Sequence, residues 1–142
     1  MPHPVHQNAA TGFHNAKAYD AHRPSYPPAA VSSFLSDLGL AGVAPGARVL
    51  EVAAGTGKFT EVLAARDERF EVVATEPLEG MRGELAGKGL DVEVRAGSAA
   101  GLPVGDGWAD ACIAAQVGGS WRCFYSGCPC VCMCSAVVDT GL

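Results

Sequence analysis

The chain has 142 residues, 49% of them hydrophobic, which is enough for one domain with a buried core. Its net charge of -5 argues against a surface built to attract nucleic acid, so we expect no nucleic-acid partner. There is no run of about 18 apolar residues, and the N-terminus lacks the basic start and apolar core of a secretory signal. We therefore expect no membrane partner and a cytoplasmic location.

Residues 1–27 are predicted to form an N-terminal arm that interleaves aromatic rings with Arg23 and closes on two prolines. Two interpretations remain open. The arm is either a surface segment whose rings pack on the domain, or a lid that covers a ligand and excludes water. A helix is predicted to begin at Pro28, because proline is tolerated in a first turn and an apolar stripe begins at Val31.

Residues 48–60 combine an apolar strand, a glycine turn and the start of a helix that is predicted to run from Lys58 to Arg66. Such a turn is expected to offer backbone N–H groups and a helix N-terminus to a nucleotide-like ligand. A phosphate-binding P-loop is excluded, because Val52 and Phe59 stand where that motif needs glycine and serine or threonine. A dinucleotide fingerprint is matched only in part, because Thr60 replaces its third glycine.

Two acids lie in or at the end of the first two predicted strands. Glu51 lies in the first strand, where a buried carboxylate needs a cationic or hydrogen-bonding partner. The ammonium and sulfonium of S-adenosylmethionine would supply a cation, whereas a pyrophosphate would be repelled, although a salt-bridged strand acid remains an alternative. Glu76 ends the second strand nineteen residues after Gly57, the spacing at which a carboxylate meets a ribose diol. A helix-capping role for Glu76 ahead of Pro77 is also open.

The second half of the chain is predicted to supply two more strands and a ligand-side loop. Alternation over residues 90–94 indicates a third strand, and residues 110–116 indicate a fourth strand that contains an inert buried Cys112. Between them, Ser98 and Ala99 follow a strand end and are expected to lie along an adenine ring.

The motifs resemble, in their order, the class I S-adenosylmethionine-dependent methyltransferases of the type-11 (ubiquinone-biosynthesis-like and trans-aconitate-methyltransferase-like) group. Four stretches carry the resemblance: residues 19–27, 49–60, 72–77, and 97–103 continuing to 110–113. The resemblance implies an α/β, Rossmann-like fold in its N-terminal half only, with strand order 3-2-1-4 and an irregular C-terminal tail. The expected division is an arm (1–27), a partial cofactor-binding domain (28–116) and a Cys-rich tail (117–142).

The resemblance also implies a cofactor site at the ends of the first strands. It suggests that Glu51, Gly55 and Gly57 lie by the methionine part of S-adenosyl-L-methionine and that Glu76 meets the ribose. The full expected set is Tyr19, Arg23, Glu51, Ala53, Gly55, Gly57, Glu76, Ser98 and Ala99. Tyr26 joins Tyr19 and Arg23 in the lid. Ala53 replaces a frequent glycine, and Ser98 replaces a common aspartate. No catalytic residue is assigned.

The resemblance ends at Gln116, so the chain is expected to be truncated after the fourth strand. Residues 117–142 hold five cysteines and two charged residues, an abrupt change consistent with a gene-model artefact such as an unspliced intron. The cysteine spacing lacks the paired C-x₂-C of zinc sites, so no metal is expected.

The resemblance implies an enzyme that transfers a methyl group from S-adenosyl-L-methionine to a small-molecule acceptor. The alternative is a non-catalytic truncated fragment with at most residual cofactor binding. An NAD-binding module is disfavoured by Glu51 and Thr60.

Overall fold

The structure, a computed structural model, describes residues 26–42, 45–98 and 100–115. Three α-helices and four β-strands lie within these ranges, and none of the helices there is long and apolar enough to cross a membrane. In chain order they are α1 (Pro28–Asp37), β1 (Arg48–Val52), α2 (Lys58–Ala64), β2 (Glu71–Thr75), α3 (Glu79–Gly87), β3 (Glu93–Arg95) and β4 (Ala111–Ile113). Most of the predicted arm and all of the predicted tail lie outside the described residues, so the division into arm, domain and tail stays a prediction.

The four described strands form one parallel sheet in the order β3-β2-β1-β4, which confirms the predicted order. β1 and β2 pair along their whole length, from Arg48 opposite Glu71 to Val52 opposite Thr75. β4 pairs on the other side of β1, with Val49 opposite Ala111. Because all four strands are parallel, their carboxyl ends lie at one edge of the sheet, where ligands bind in open α/β folds.

The sheet is covered on both faces, as expected for parallel strands with near-continuous apolar sequences. Successive residues of β1 point to opposite faces, so Val49 and Leu50 enter different clusters. The cluster that includes residues of α1 and α2 comprises Tyr26, Val31, Phe34, Leu35, Leu40, Val49, Phe59, Leu63, Phe70, Val72, Ala111 and Ile113. The opposite cluster comprises Leu50, Val52, Val73, Ala109, Cys112 and Ala114.

Tyr26 belongs to the predicted lid and lies within the described residues, and its ring is part of the core. The ring is 9% exposed and meets Phe59 edge-on, with centroids 5.0 Å apart at 75°. Phe34 of α1 lies 6.0 Å from the same Phe59 ring. For Tyr26, packing on the domain therefore describes the structure better than a lid does.

The predicted start of the third strand is wrong. Residues 90–92 form a bend in which the Val92 N–H donates to the carbonyl of Leu90 at 2.8 Å, and β3 begins at Glu93. The register explains the late start, because β3 pairs only with the last three residues of β2. The fourth strand is also shorter than predicted, and Gln116 lies outside the described residues.

The turn between β1 and α2 runs through three residues with positive φ: Ala53 (56°), Gly55 (61°) and Gly57 (90°). The two glycines meet different surroundings. A Cβ on Gly57 would lie 2.3 Å from Cδ1 of the buried Leu85 in α3. Among the described residues, a Cβ on Gly55 would meet no atom within 4 Å. Gly57 therefore permits close packing of α3, whereas the space beside Gly55 is not filled by a described residue.

The two glycines form a matched pair for measuring that packing. We expect Gly55→Ala to lower the free energy of unfolding by about 1 kcal/mol, the cost of a left-handed alanine. Gly57→Ala carries the same backbone cost and also overpacks Leu85, so a loss of about 2–4 kcal/mol is expected. Urea unfolding of both variants measures the difference, and equal losses would contradict the close approach of α3.

Candidate functional site

The predicted site residues that the structure describes gather at the carboxyl edge of the sheet. Ala53 follows β1, Glu76 follows β2, and Ser98 comes three residues after β3. Gly55 contacts Glu76 directly, because its backbone N–H donates to the Glu76 carboxylate. Tyr19, Arg23 and Ala99 lie outside the described residues, so their predicted roles stay predictions.

The carboxylate of Glu76 is held by two backbone donors. One oxygen accepts the Gly55 N–H at 2.8 Å, and the other accepts the Leu78 N–H at 3.0 Å. The residue is 5% exposed, and burial raises the pKa of its carboxyl, while these two bonds and the charge of Arg82 lower it. Each carboxylate oxygen accepts more than one hydrogen bond, so both retain capacity for a hydroxyl donor.

Glu51 is a second acid at this edge and is almost fully buried, at 1% exposure. Its Oε2 accepts the hydroxyl of Thr60 at 2.5 Å, and its backbone carbonyl accepts the Thr75 hydroxyl at 3.1 Å. Burial raises the pKa of Glu51 to about 8; the Thr60 bond opposes that rise, and the charge of Glu76 adds to it. A carboxyl with this pKa holds its proton at neutral pH.

Three N–H groups of the glycine turn are engaged within the protein, although the sequence predicted that the turn would offer such groups to a ligand. The Ala54 N–H donates to the carbonyl of Thr75 at 2.9 Å, and the Gly57 N–H donates to the carbonyl of Ala54 at 3.0 Å. The Gly55 N–H is taken by Glu76. For these three groups the prediction is wrong, because the carbonyls of Thr75 and Ala54 and the Glu76 carboxylate accept them.

The loop after β3 is pinned by contacts of its own. Ser98 and Gly101 exchange backbone hydrogen bonds of 3.3 and 3.0 Å. Arg95 donates from Nη1 to the carbonyl of Pro103 at 2.6 Å. A Cβ on Gly97 would lie 2.9 Å from Cδ of Pro103, so the loop closes tightly at this glycine. Ser98 is thereby fixed in a half-buried position beyond the end of β3.

Two residues of the site were missed by sequence reasoning. Thr60 was considered only as a mismatch to a glycine motif, yet its hydroxyl is the donor to Glu51. The available signal was the acid itself, because a buried carboxyl requires a nearby donor. Arg82 was not considered, and its Nη1 donates to the carbonyls of Glu76 and Pro77. The available signal was the position of Arg82 early in a helix, where a cation interacts unfavourably with the helix dipole and so needs a local partner.

A metal site is not formed by the part of the chain that the structure describes. No group of three or more His, Cys, Asp or Glu side chains that could hold an ion occurs in residues 26–42, 45–98 and 100–115. The cysteines of residues 123–134 lie outside those ranges.

The buried acids predict how stability depends on pH. The folded chain keeps the Glu51 proton up to about pH 8, whereas the unfolded carboxyl titrates near its ordinary value of 4.5. Between these values the folded state binds more protons, so the free energy of unfolding should fall as pH rises. The limiting slope for one group is about 1.4 kcal/mol per pH unit.

Urea unfolding between about pH 5.5 and pH 7.5 measures this slope. We expect Glu51→Gln to make the dependence of the unfolding free energy on pH less steep. Glu76→Gln should act in the same direction, because burial raises the pKa of Glu76 as well. Glu79→Gln, at an exposed position, is the control. Equal slopes in the wild-type chain and the Glu51→Gln variant would contradict a buried protonated Glu51.

Comparison with known proteins finds relatives over the same region. An uncharacterized methyltransferase of Mycobacterium tuberculosis is 36% identical over 99 residues, which cover 70% of this chain and 37% of that protein. An uncharacterized methyltransferase-like protein of Schizosaccharomyces pombe is 35% identical over 98 residues, covering 69% of this chain and 37% of that protein. The chain thus spans 37% of the length of these curated relatives.

Solved structures share the fold. The cyclase SpnF matches with a TM-score of 0.58 and 20% identity, covering 82% of this chain and 52% of that one. A DhpI–SAM–HEP complex matches with a TM-score of 0.55 and 25% identity, covering 81% of this chain and 52% of that one. These structures support the Rossmann-like architecture seen in the sheet order.

The family model described as "Methyltransferase domain", of the type-11 group, matches residues 50–121, half of the chain. That match begins inside β1 and takes in the glycine turn, the buried acids Glu51 and Glu76, and the Ser98 loop. It confirms the resemblance drawn from the ordered motifs. The chain belongs to the type-11 methyltransferase-domain family.

Proposed function

We propose that the chain binds S-adenosyl-L-methionine at the carboxyl edge of its sheet and serves an enzyme that transfers the methyl group to a small-molecule acceptor. The observation that carries the proposal is the pairing of two buried acids, Glu51 and Glu76, with a glycine turn in which the N–H groups of Ala54, Gly55 and Gly57 serve protein acceptors. An edge rich in acceptors suits a cationic ligand that also bears hydroxyl groups.

The residues fit the proposed cofactor at its two polar ends. Glu76, already fixed by two N–H donors, can accept a ribose diol with its remaining lone pairs. Glu51 lies where a positive charge would ionise it, because an approaching cation lowers the pKa of a carboxyl. Gly55 has no described atom within 4 Å of its missing Cβ, so a ligand can approach the turn there. By position, Ala53 and Ser98 border the same edge, and Gly57 supports it through α3.

A dinucleotide fits the same edge less well. Its pyrophosphate needs N–H donors, and those of Ala54, Gly55 and Gly57 are engaged within the protein. A phosphate near Glu51 and Glu76 would also disfavour the ionised form of both carboxyls. The electrostatics therefore favour the sulfonium cofactor over NAD.

S-adenosyl-L-methionine supplies an electrophilic methyl group on a positively charged sulfur. The chain's own contribution is to bind and orient: Glu76 fixes the nucleoside end, and Glu51 balances positive charge in a buried setting. Alignment of this kind accounts for much of the rate in a transfer with a good leaving group. No described residue is assigned as a general base.

The acceptor is proposed to be a small molecule because the net charge of -5 disfavours polyanionic substrates. The absence of nucleic-acid and membrane partners and a cytoplasmic location belong to the same proposal. Isotope-labelled methyl transfer into small-molecule and RNA fractions of a cell extract tests it, with label expected in the small-molecule fraction. Label confined to RNA would contradict the proposed acceptor.

Calorimetric titration tests the cofactor directly. We expect the wild-type chain to bind S-adenosylmethionine and S-adenosylhomocysteine and to bind NAD at least tenfold more weakly, on the order of 1.4 kcal/mol. Glu76→Gln should weaken both sulfur ligands by about tenfold or more, because a charge-assisted bond to the ribose is lost. NAD binding without binding of either sulfur ligand would contradict the proposal.

Proton release provides a second readout. Free Glu51, with its pKa raised to about 8, holds a proton at neutral pH, and a bound cation should displace it. Titrations in two buffers of different ionisation enthalpy should show up to one proton released with the wild-type chain. Glu51→Gln should release none. Equal heats in both buffers for the wild-type chain would contradict the placement of Glu51 beside the cation.

A further inference from the structure

Arg82 lies in α3, beneath the turn that carries Glu76. Its Nη1 donates to the backbone carbonyl of Glu76 at 2.9 Å and to that of Pro77 at 3.3 Å. The side chain therefore bridges two successive carbonyls of the segment between β2 and α3. It makes these contacts from a half-buried position, where a hydrogen bond is less exposed to competition from water.

The other side of the same segment is fixed by the Glu76 carboxylate. That carboxylate accepts the N–H groups of Gly55 and Leu78, so backbone and side chain of one residue are held at the same time. Arg82 holds the carbonyl side of the peptide, and the two N–H donors hold the carboxylate. Removal of Arg82 would leave the carbonyls of Glu76 and Pro77 without this bridge, so the backbone that carries the carboxylate would be held less firmly.

Charge adds to this geometric effect. Burial raises the pKa of the Glu76 carboxyl, and the guanidinium of Arg82, with the two N–H bonds, opposes that rise. The positive charge thus favours the ionised carboxylate, the form that accepts two hydroxyl donors. Arg82 makes these bonds at a cost, because a cation in the first half of a helix opposes the dipole of that helix.

We propose that Arg82 is a positioning residue that fixes the Glu76 carboxylate for the ribose diol of the cofactor without touching the cofactor itself. The proposal rests on the function proposed above. Selectivity for a ribose diol then depends on two residues: Glu76 contacts the diol, and Arg82 holds Glu76 in position.

Binding of two probes separates positioning from general stabilisation. The probes are S-adenosylhomocysteine and its 2′,3′-dideoxy analogue, titrated into the wild-type chain, Arg82→Met and Arg82→Lys. We expect Arg82→Met to weaken S-adenosylhomocysteine by about tenfold, the scale of a lost charge-assisted bond, and to leave binding of the analogue unchanged. Arg82→Lys should recover part of the loss, because it keeps the charge and can donate to a carbonyl.

The outcomes distinguish this proposal from the one on which it rests. A wild-type chain that binds no S-adenosylhomocysteine overturns the proposed function. If the wild-type chain binds S-adenosylhomocysteine, two results overturn only the role of Arg82. Either Arg82→Met binds both probes as tightly as the wild-type chain does, or it loses the same affinity for both. Adding Arg82→Met to Glu76→Gln should cause no further loss, and an additive loss would also overturn it. If Arg82→Met does not fold, Arg82→Lys is judged by the same comparison of probes.

Discussion

Two hydrogen bonds to the carboxylate of Glu76 hold the ends of the two central strands in one arrangement. Gly55 belongs to the turn after β1, and Leu78 directly precedes α3, so a single side chain fastens both connections. The Glu76 N–H in turn donates to the carbonyl of Arg95 at 3.1 Å, which brings the end of β3 into the same unit. The shape of the candidate site therefore depends on one buried acid.

This arrangement also sets the electrostatic character of the edge. Glycine turns that bind phosphates direct free N–H groups outward, whereas here the N–H groups of Ala54, Gly55 and Gly57 serve protein acceptors. The acids Glu51 and Glu76 add acceptors, and the high pKa of Glu51 shows how poorly that buried edge tolerates negative charge without a cation. A positively charged ligand would stabilise ionised carboxylates at this edge, whereas a phosphate would destabilise them.

Sequence reasoning recovered the features that depend on short-range patterns and on ordered motifs. The apolar runs of β1 and β2 were found because each run is continuous and ends in a turn, and the family resemblance supplied the strand order. The start of β3 at Glu93 was missed because the pairing register decides it, and the alternation of residues 90–94 does not. The direction of the turn's N–H groups and the bridge of Arg82 depend on contacts between segments, which no local pattern records.

The mismatch at Thr60, in the first turn of α2, is explained by its hydrogen bond to Glu51. In a dinucleotide fingerprint the third glycine allows close packing of helix and strand. The close approach seen at Gly57 is a different one, because its missing Cβ gives space to Leu85 of α3. At position 60 the structure accommodates a buried threonine, whose hydroxyl donates to Glu51. A glycine at position 60 would leave a carboxyl at 1% exposure without that donor, so Thr60 and Glu51 are best understood as one unit.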